Sequence, residues 1–257
     1  FVRKTKPIRF TRAGEHILEL ADKVMPQLEQ TNRDIKKLAG GQAGRLHMAI
    51  ECHSCFDWLM PAINSFRDQW PEVEIDLMAS FHFEPLPALA RGDLDLVVTA
   101  DPIPMAGIYY QPLFRYQALL AIANQHALVD SKYIEAHDLA DQTLIHYPVE
   151  RKRLDIFTQF LDPNNIEPNS TRQADLTLMI VQLVASGRGV ACLPNWALQP
   201  YLNAGLISSK PLGEKGIWPT LYAAIREDQK ETSYMVDFLQ QSLQACNENL
   251  TGIEPVK

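Results

Sequence analysis

Residues 46–66 read LHMAIECHSCFDWLMPAINSF, and the change of period inside this stretch decides the fold class. LHMAI is an apolar run of strand length, whereas Phe56, Leu59, Met60, Ile63 and Phe66 recur at helical spacing. Ser54, with Asp57 three residues on, fits a capping box that opens this helix and sets an acid against its positive end. The alternation continues downstream as VEIDLMA, a short PLPALARG helix ending at Gly92, and the strand DLDLVVTA. Strand, helix, strand, helix, strand implies right-handed crossovers and a parallel sheet covered on both faces.

Further along, the strand-like IYYQPLFRYQALLAIA leads into a second cycle made of TLIHY, LDIFTQFL, a helix from Asp175 to about Ser186, and VACLP. The last strand, TLYAAIR, and a helix from about Thr232 to Cys246 return to complete the first unit. The expected architecture is α/β: a two-lobed, periplasmic-binding-protein-like domain with parallel-rich sheets, preceded by a long linker helix. Residues 45–123 with 219–247 form lobe I, residues 124–218 form lobe II, and 248–257 form a tail. Two crossings between lobes make a hinge with a cleft.

In front of these lobes, Thr11 is a plausible N-cap for a helix on which Ile17, Ala21, Val24, Leu28, Ile35 and Leu38 sit at spacings of three and four along one seam. That is a pairing helix, with Pro26 predicting a kink, and Gly40, Gly41 and Gly44 closing a linker and hinge over residues 11–44. Charge divides the chain at the same place: residues 1–38 carry net +4 and residues 39–257 net −11. Arg3, Lys4, Lys6, Arg9 and Arg12 come with no acid among them, as in an arm along a phosphate backbone; a solvated basic tail explains them equally. No apolar stretch is long enough to span a bilayer, and the basic start has no apolar run behind it, so a cytoplasmic location is expected and no membrane partner.

Four cysteines, Cys52, Cys55, Cys192 and Cys246, are too few for a disulfide framework, and reduced thiols are expected. Cys52 and Cys55 have the spacing of a zinc or redox pair, with His53 or Glu51 as a third ligand, but no second such pair exists elsewhere. No metal is therefore expected. No nucleophile elbow, P-loop or dinucleotide fingerprint supports an enzyme, and no cofactor is implied. A solute-binding protein would share the hinged lobes, but not the basic arm and pairing helix.

Several segments resemble the LysR-type transcriptional regulators. FVRKTKPIRFTRAGEHIL (residues 1–18) is similar to the end of their winged helix-turn-helix, over 1–10, and the start of their dimerising helix. Gly92, Leu94 and Asp95 match the family's strand entry, and Gly187, Gly189, Leu193 and Pro194 its Gly-x-Gly-x-x-x-Leu-Pro segment. His126, Ala127 and Leu128 stand where His-Pro-Leu is usual. IECHSC, PVERKRLDIF and LPNW resemble the branch that controls methionine biosynthesis with homocysteine as effector. The resemblance implies DNA binding, mainly through a recognition helix upstream of Phe1, a homo-dimer or tetramer, contact with RNA polymerase, and an effector held between the lobes.

The candidate effector residues are placed accordingly. Ser54, His53 and the Cys55 backbone sit at the strand-to-helix turn, where exposed N–H groups suit a carboxylate; an ordinary cap needs no ligand. Thr99 ends the third strand, and Phe81 and Phe83 follow the second and can wall an apolar pocket or simply pack in the core. Tyr147 ends a second-lobe strand, Arg151 follows it and suits a carboxylate, and Asp175 suits an ammonium or serves only as an N-cap.

Overall fold

The computed structural model describes residues 10–40, 44–51, 55–78 and 85–256, and the side chains at 33, 34 and 36–40 are excluded from that description. Arg3, Lys4, Lys6 and Arg9 of the basic arm, Cys52, His53 and Ser54 of the turn, Phe81 and Phe83, and the side chain of Leu38 lie outside the described residues. Helix α1 (Arg12–Gly40) starts where its cap predicts: Thr11 Oγ1 accepts from the Gly14 N–H at 3.1 Å. It continues through Pro26, and Ile17, Val24, Leu28 and Ile35 of its seam are exposed on a single chain.

The chain then builds β1 (Gly44–Ile50), α2 (Phe56–Gln69), β2 (Val73–Met78), α3 (Pro85–Arg91) and β3 (Leu96–Thr99). As the crossovers require, β1 pairs in parallel with both β2 and β3. Three later strands, β4 (Ile108–Tyr116), β10 (Thr220–Arg226) and β11 (Ile253–Glu254), join antiparallel, giving the order β11-β4-β10-β3-β1-β2. The sheet is thus mixed: parallel where helices cross over, antiparallel where the chain leaves for the other lobe, returns from it and ends. Helix α2 and the returning α6 (Ser233–Asn249) cover one face, with the rings of Phe66 and Phe238 edge to face at 5.3 Å. On the other face, Leu86 and Leu89 of α3 pack with Ala49, Val97 and Ala224.

Between β4 and β10 lies the second lobe. The run IYYQPLFRYQALLAIA, one apolar stretch in sequence, is two strands in two sheets: β4 ends at Tyr116 and β5 (Ala118–Ile122) starts at Ala118. The crossing is at Gln117, earlier than the boundary after residue 123 read from sequence, because no turn residue marks it. Strand β5 lies between β8 (Ala191–Pro194) and β9 (Ser208–Pro211), antiparallel to both, and β6 (Thr143–His146) pairs in parallel with β7 (Ser170–Gln173). The outgoing and returning crossings run side by side: the Tyr116 N–H donates to Pro219 O at 3.0 Å and the Ala118 N–H to Ile217 O at 2.9 Å.

Two details of lobe II bear on the site. Gly189 has φ +152, and a Cβ there would stand 2.4 Å from the Thr143 carbonyl oxygen, so only glycine lets this segment lie against β6. Helix α4 (Thr177–Ala185) is capped at Leu176, one residue beyond the expected Asp175, whose side chain is exposed and accepts no bond from the helix start. Helix α5 (Asn195–Asn203) follows β8 and sends Trp196 into the first lobe, its ring 5.2 Å from Phe114 and 4.7 Å from Tyr116.

Candidate functional site: a charged cavity between the lobes

In a parallel sheet the loops beyond the carboxyl ends of adjacent strands diverge, and the space left there takes ligands. Strands β1 and β3 end side by side, and the residues immediately beyond them, Glu51, Ala100 and Asp101, form the lobe I wall of a cavity of about 140 Å³. Its opposite wall comes from lobe II, through Tyr147, the Val149 and Arg153–Ile156 segment, and Cys192 and Leu193 of β8. Tyr116 and Ala118, on either side of the first crossing, line its floor with Trp196 and Leu221.

Arg153 ties the two walls together. Its Nη2 donates to Glu51 Oε1 at 2.6 Å and its Nε to Asp101 Oδ2 at 2.8 Å, so one guanidinium of lobe II holds two carboxylates of lobe I. Burial opposes its charge, but Glu51 and Asp101 outweigh burial and hold Arg153 above the usual arginine range. Thr99, buried at the end of β3, accepts the Asp101 N–H at 3.0 Å; it does not line the cavity, but fixes the backbone of a residue that does.

Two residues beyond Arg153, Asp155 faces the same space. Gln159 Nε2 donates to its Oδ1 at 2.6 Å, and the Tyr116 hydroxyl reaches its Oδ2 at 3.4 Å. Burial pushes the Asp155 carboxyl up to about 6, and the same burial, with Asp155 alongside, raises the Tyr116 phenol and the Cys192 thiol well above their ordinary ranges. A thiol so raised is not a nucleophile at neutral pH.

Of the effector residues expected from sequence, the structure brings Tyr147 to this cavity, where its hydroxyl meets Thr177 Oγ1 at 2.6 Å. Arg151 points elsewhere: it donates to Glu167 at 2.7 and 2.9 Å and to Asp162 at 2.5 Å, and lies 4.0 Å over the Phe157 ring. Asp175 is exposed and not among the lining residues. Cys55 is buried and disulfide-bonded, which corrects the expectation of reduced thiols for this residue; Cys192 and Cys246 are free. His53, Ser54 and Phe81 lie outside the described residues. Among the described residues no group of three His, Cys, Asp or Glu side chains is arranged to hold a metal.

Asp101, Arg153 and Asp155 were not singled out from sequence, and Glu51 was considered only as a metal ligand, not as an effector residue. The available signal was positional: Glu51 and Asp101 directly follow β1 and β3, where a crossover fold places ligands.

Comparison with known proteins bears on the family and the fold. The LysR substrate binding domain family matches residues 39–247. The chain is 44% identical over 230 residues to the transcriptional regulator MetR of Escherichia coli K12, an alignment covering 90% of this chain and 71% of that protein. The chain belongs to the LysR family. The regulatory domain of MetR from N. meningitidis, a LysR family regulator, is 38% identical and superposes with a TM-score of 0.76, covering 83% of this chain and 98% of that one. The effector-binding domain of a BenM variant, at 20% identity and TM-score 0.66 over 82% of this chain and 99% of its own, shares the fold. LysR-family proteins are transcriptional regulators that bind DNA and small-molecule effectors; they are not enzymes. No helix among the described residues is long and apolar enough to cross a membrane.

Proposed function

We propose that this chain is the effector-sensing and oligomerisation region of a LysR-family regulator of methionine biosynthesis, and that homocysteine, bound between the lobes, is its signal. The observation that carries this is a cavity walled by both lobes, on a chain 44% identical to a MetR. A ligand that touches both walls favours one lobe arrangement over another, and only such a difference in affinity shifts a regulator's state. The exposed seam Ile17, Val24, Leu28 and Ile35 of α1 suits pairing with a second copy, as a dimer or within a tetramer, in the cytoplasm. DNA is contacted mainly by the family's winged helix-turn-helix, with the basic arm following the phosphate backbone and RNA polymerase as a further partner.

The test is a thermal melt of the chain with L-homocysteine, L-methionine, L-cysteine or buffer. A ligand at about one hundred times its dissociation constant stabilises by about 2.7 kcal/mol, which raises Tm by several degrees. A rise specific to homocysteine is expected; a larger rise with another amino acid reassigns the effector.

A further inference from the structure

The cavity wall is out of electrical balance. Three carboxylates, Glu51, Asp101 and Asp155, face one guanidinium, Arg153, which is already engaged by the first two. The imbalance is sharpest at Glu51, whose side chain is only 11% exposed: Oε1 takes Arg153, while Oε2 is buried with no hydrogen-bond partner among the described residues. An unpaired buried carboxylate oxygen is costly, and a cationic donor is the partner that relieves it. The size narrows the class, since a cavity of about 150 Å³ accommodates a benzene-sized guest, and this one measures about 140 Å³. Much of the remaining lining is apolar, with Val149, Leu154, Ile156, Trp196 and Leu221.

We propose that the cavity recognises a primary ammonium group on a small molecule with a short apolar or thiol-bearing tail, with Glu51 of lobe I and Asp155 of lobe II receiving the ammonium. This deepens the effector-sensing reading and rests on it. The two carboxylates come from opposite lobes, so one ammonium draws both walls together. A zwitterion does more: its ammonium competes with Arg153 for Glu51, and its carboxylate gives the guanidinium a replacement partner, exchanging an ion pair within the protein for two ion pairs to ligand. Asp155 responds to pH within this setting. It faces Tyr116 from β4, Gln159 from its own helical turn, Cys192 from β8 and the Asp101 charge from lobe I, so a cation beside it favours its ionised form. Ammonium and proton therefore compete there, and affinity falls as pH drops through about 6.

The experiment is calorimetric titration of the 257-residue chain in oxygen-free buffer with L-homocysteine, L-cysteine and L-methionine, each beside the same molecule carrying hydrogen in place of its amino group. At least one amino compound is expected to bind at least about tenfold more tightly than its amino-free counterpart, the scale of a charged hydrogen bond. Glu51→Gln closes that gap, whereas Arg151→Gln, away from the cavity, leaves it; if the Glu51 variant does not fold, the gap in the unmodified chain decides alone. Amino-free counterparts that bind as tightly, or three amino compounds that do not bind at all, overturn the ammonium site. The two readings separate cleanly: homocysteine binding without the gap removes the ammonium site and keeps the effector, while a gap seen only with another amino compound removes homocysteine and keeps the ammonium site.

Discussion

Arg151 and Arg153 are two residues apart, in one turn, and carry the same charge, yet they belong to different parts of the protein's physics. Arg153, with 29% of its side chain exposed, crosses the cleft to two carboxylates of the other lobe. Arg151, 43% exposed, stays on the outside of its own lobe with Asp162, Glu167 and the face of Phe157. Residues 151–153 form a single tight helical turn, Arg151–Arg153, in which successive side chains point in different directions. Lys152 confirms the point, pairing with Glu150 on a third, exposed side. What a charge does here is set by its place in the turn and by the dielectric it enters, and each substitution below is a way to break that contrast or sharpen it.

The largest effect is expected at Asp155, the next charged residue along the chain that faces the cavity. Its carboxyl sits at about 6 against an ordinary value of 3.8, so the folded state holds a proton that the unfolded chain has lost between those two values. Stability from this group is fully present below 3.8 and is lost as pH rises through about 6, a penalty of up to about 3 kcal/mol at neutral pH. Asp155→Asn should remove it: urea midpoints of variant and parent should coincide at about pH 3 and diverge to a plateau above about pH 6.5, with the variant the more stable. A difference independent of pH would show that packing, not charge burial, sets the cost.

Arg153→Met comes next. Removing the cation leaves Glu51 and Asp101 facing each other across a cavity wall with neither paired, and a loss of about 2 kcal/mol is expected, below the value for a fully buried pair because Asp101 is partly solvated. The informative measurement is the double variant. If the cost comes from orphaned charge, adding Glu51→Gln to Arg153→Met should recover part of the loss, and an additive double variant would place the cost in packing instead.

The same contrast explains how far the sequence could be read. Alternating periods in residues 46–99 were enough for the crossovers, and the parallel pairing of β1 with β2 and β3 follows from them. The Gly-x-Gly segment was legible through the family resemblance, and the structure gives Gly189 a backbone reason to be glycine. The split of β4 from β5 was not legible: an apolar run carries no mark where it leaves one sheet for another, and Gln117 is identified only by the hydrogen bonds around it. For the cavity, Tyr147 was found because strand ends are visible in sequence, whereas the choice of Arg151 over Arg153 depended on a turn whose orientation no pattern of three consecutive bases reveals.

The smallest effect is expected at Arg151, and it is the strictest test of the contrast, because this residue has more short contacts than Arg153. Counting bonds would rank it first: it makes three donor contacts at 2.5 to 2.9 Å and a stack at 4.0 Å. Exposure reverses that ranking. Water already solvates Asp162 and Glu167, so losing the guanidinium leaves no unsatisfied buried charge, and ion pairs of this kind contribute less than about 1 kcal/mol; the stack on Phe157 adds about 0.5 kcal/mol. Arg151→Gln should therefore lower the denaturant midpoint only slightly, and the difference should shrink further in high salt, where exposed pairs are screened. The cavity lies on the other side of the turn, so ligand titrations should not change. A loss at Arg151 equal to that at Arg153, insensitive to salt, would mean that the outer cluster holds the 151–156 segment in place, and that the positions of Arg153 and Asp155 in the cavity depend on it.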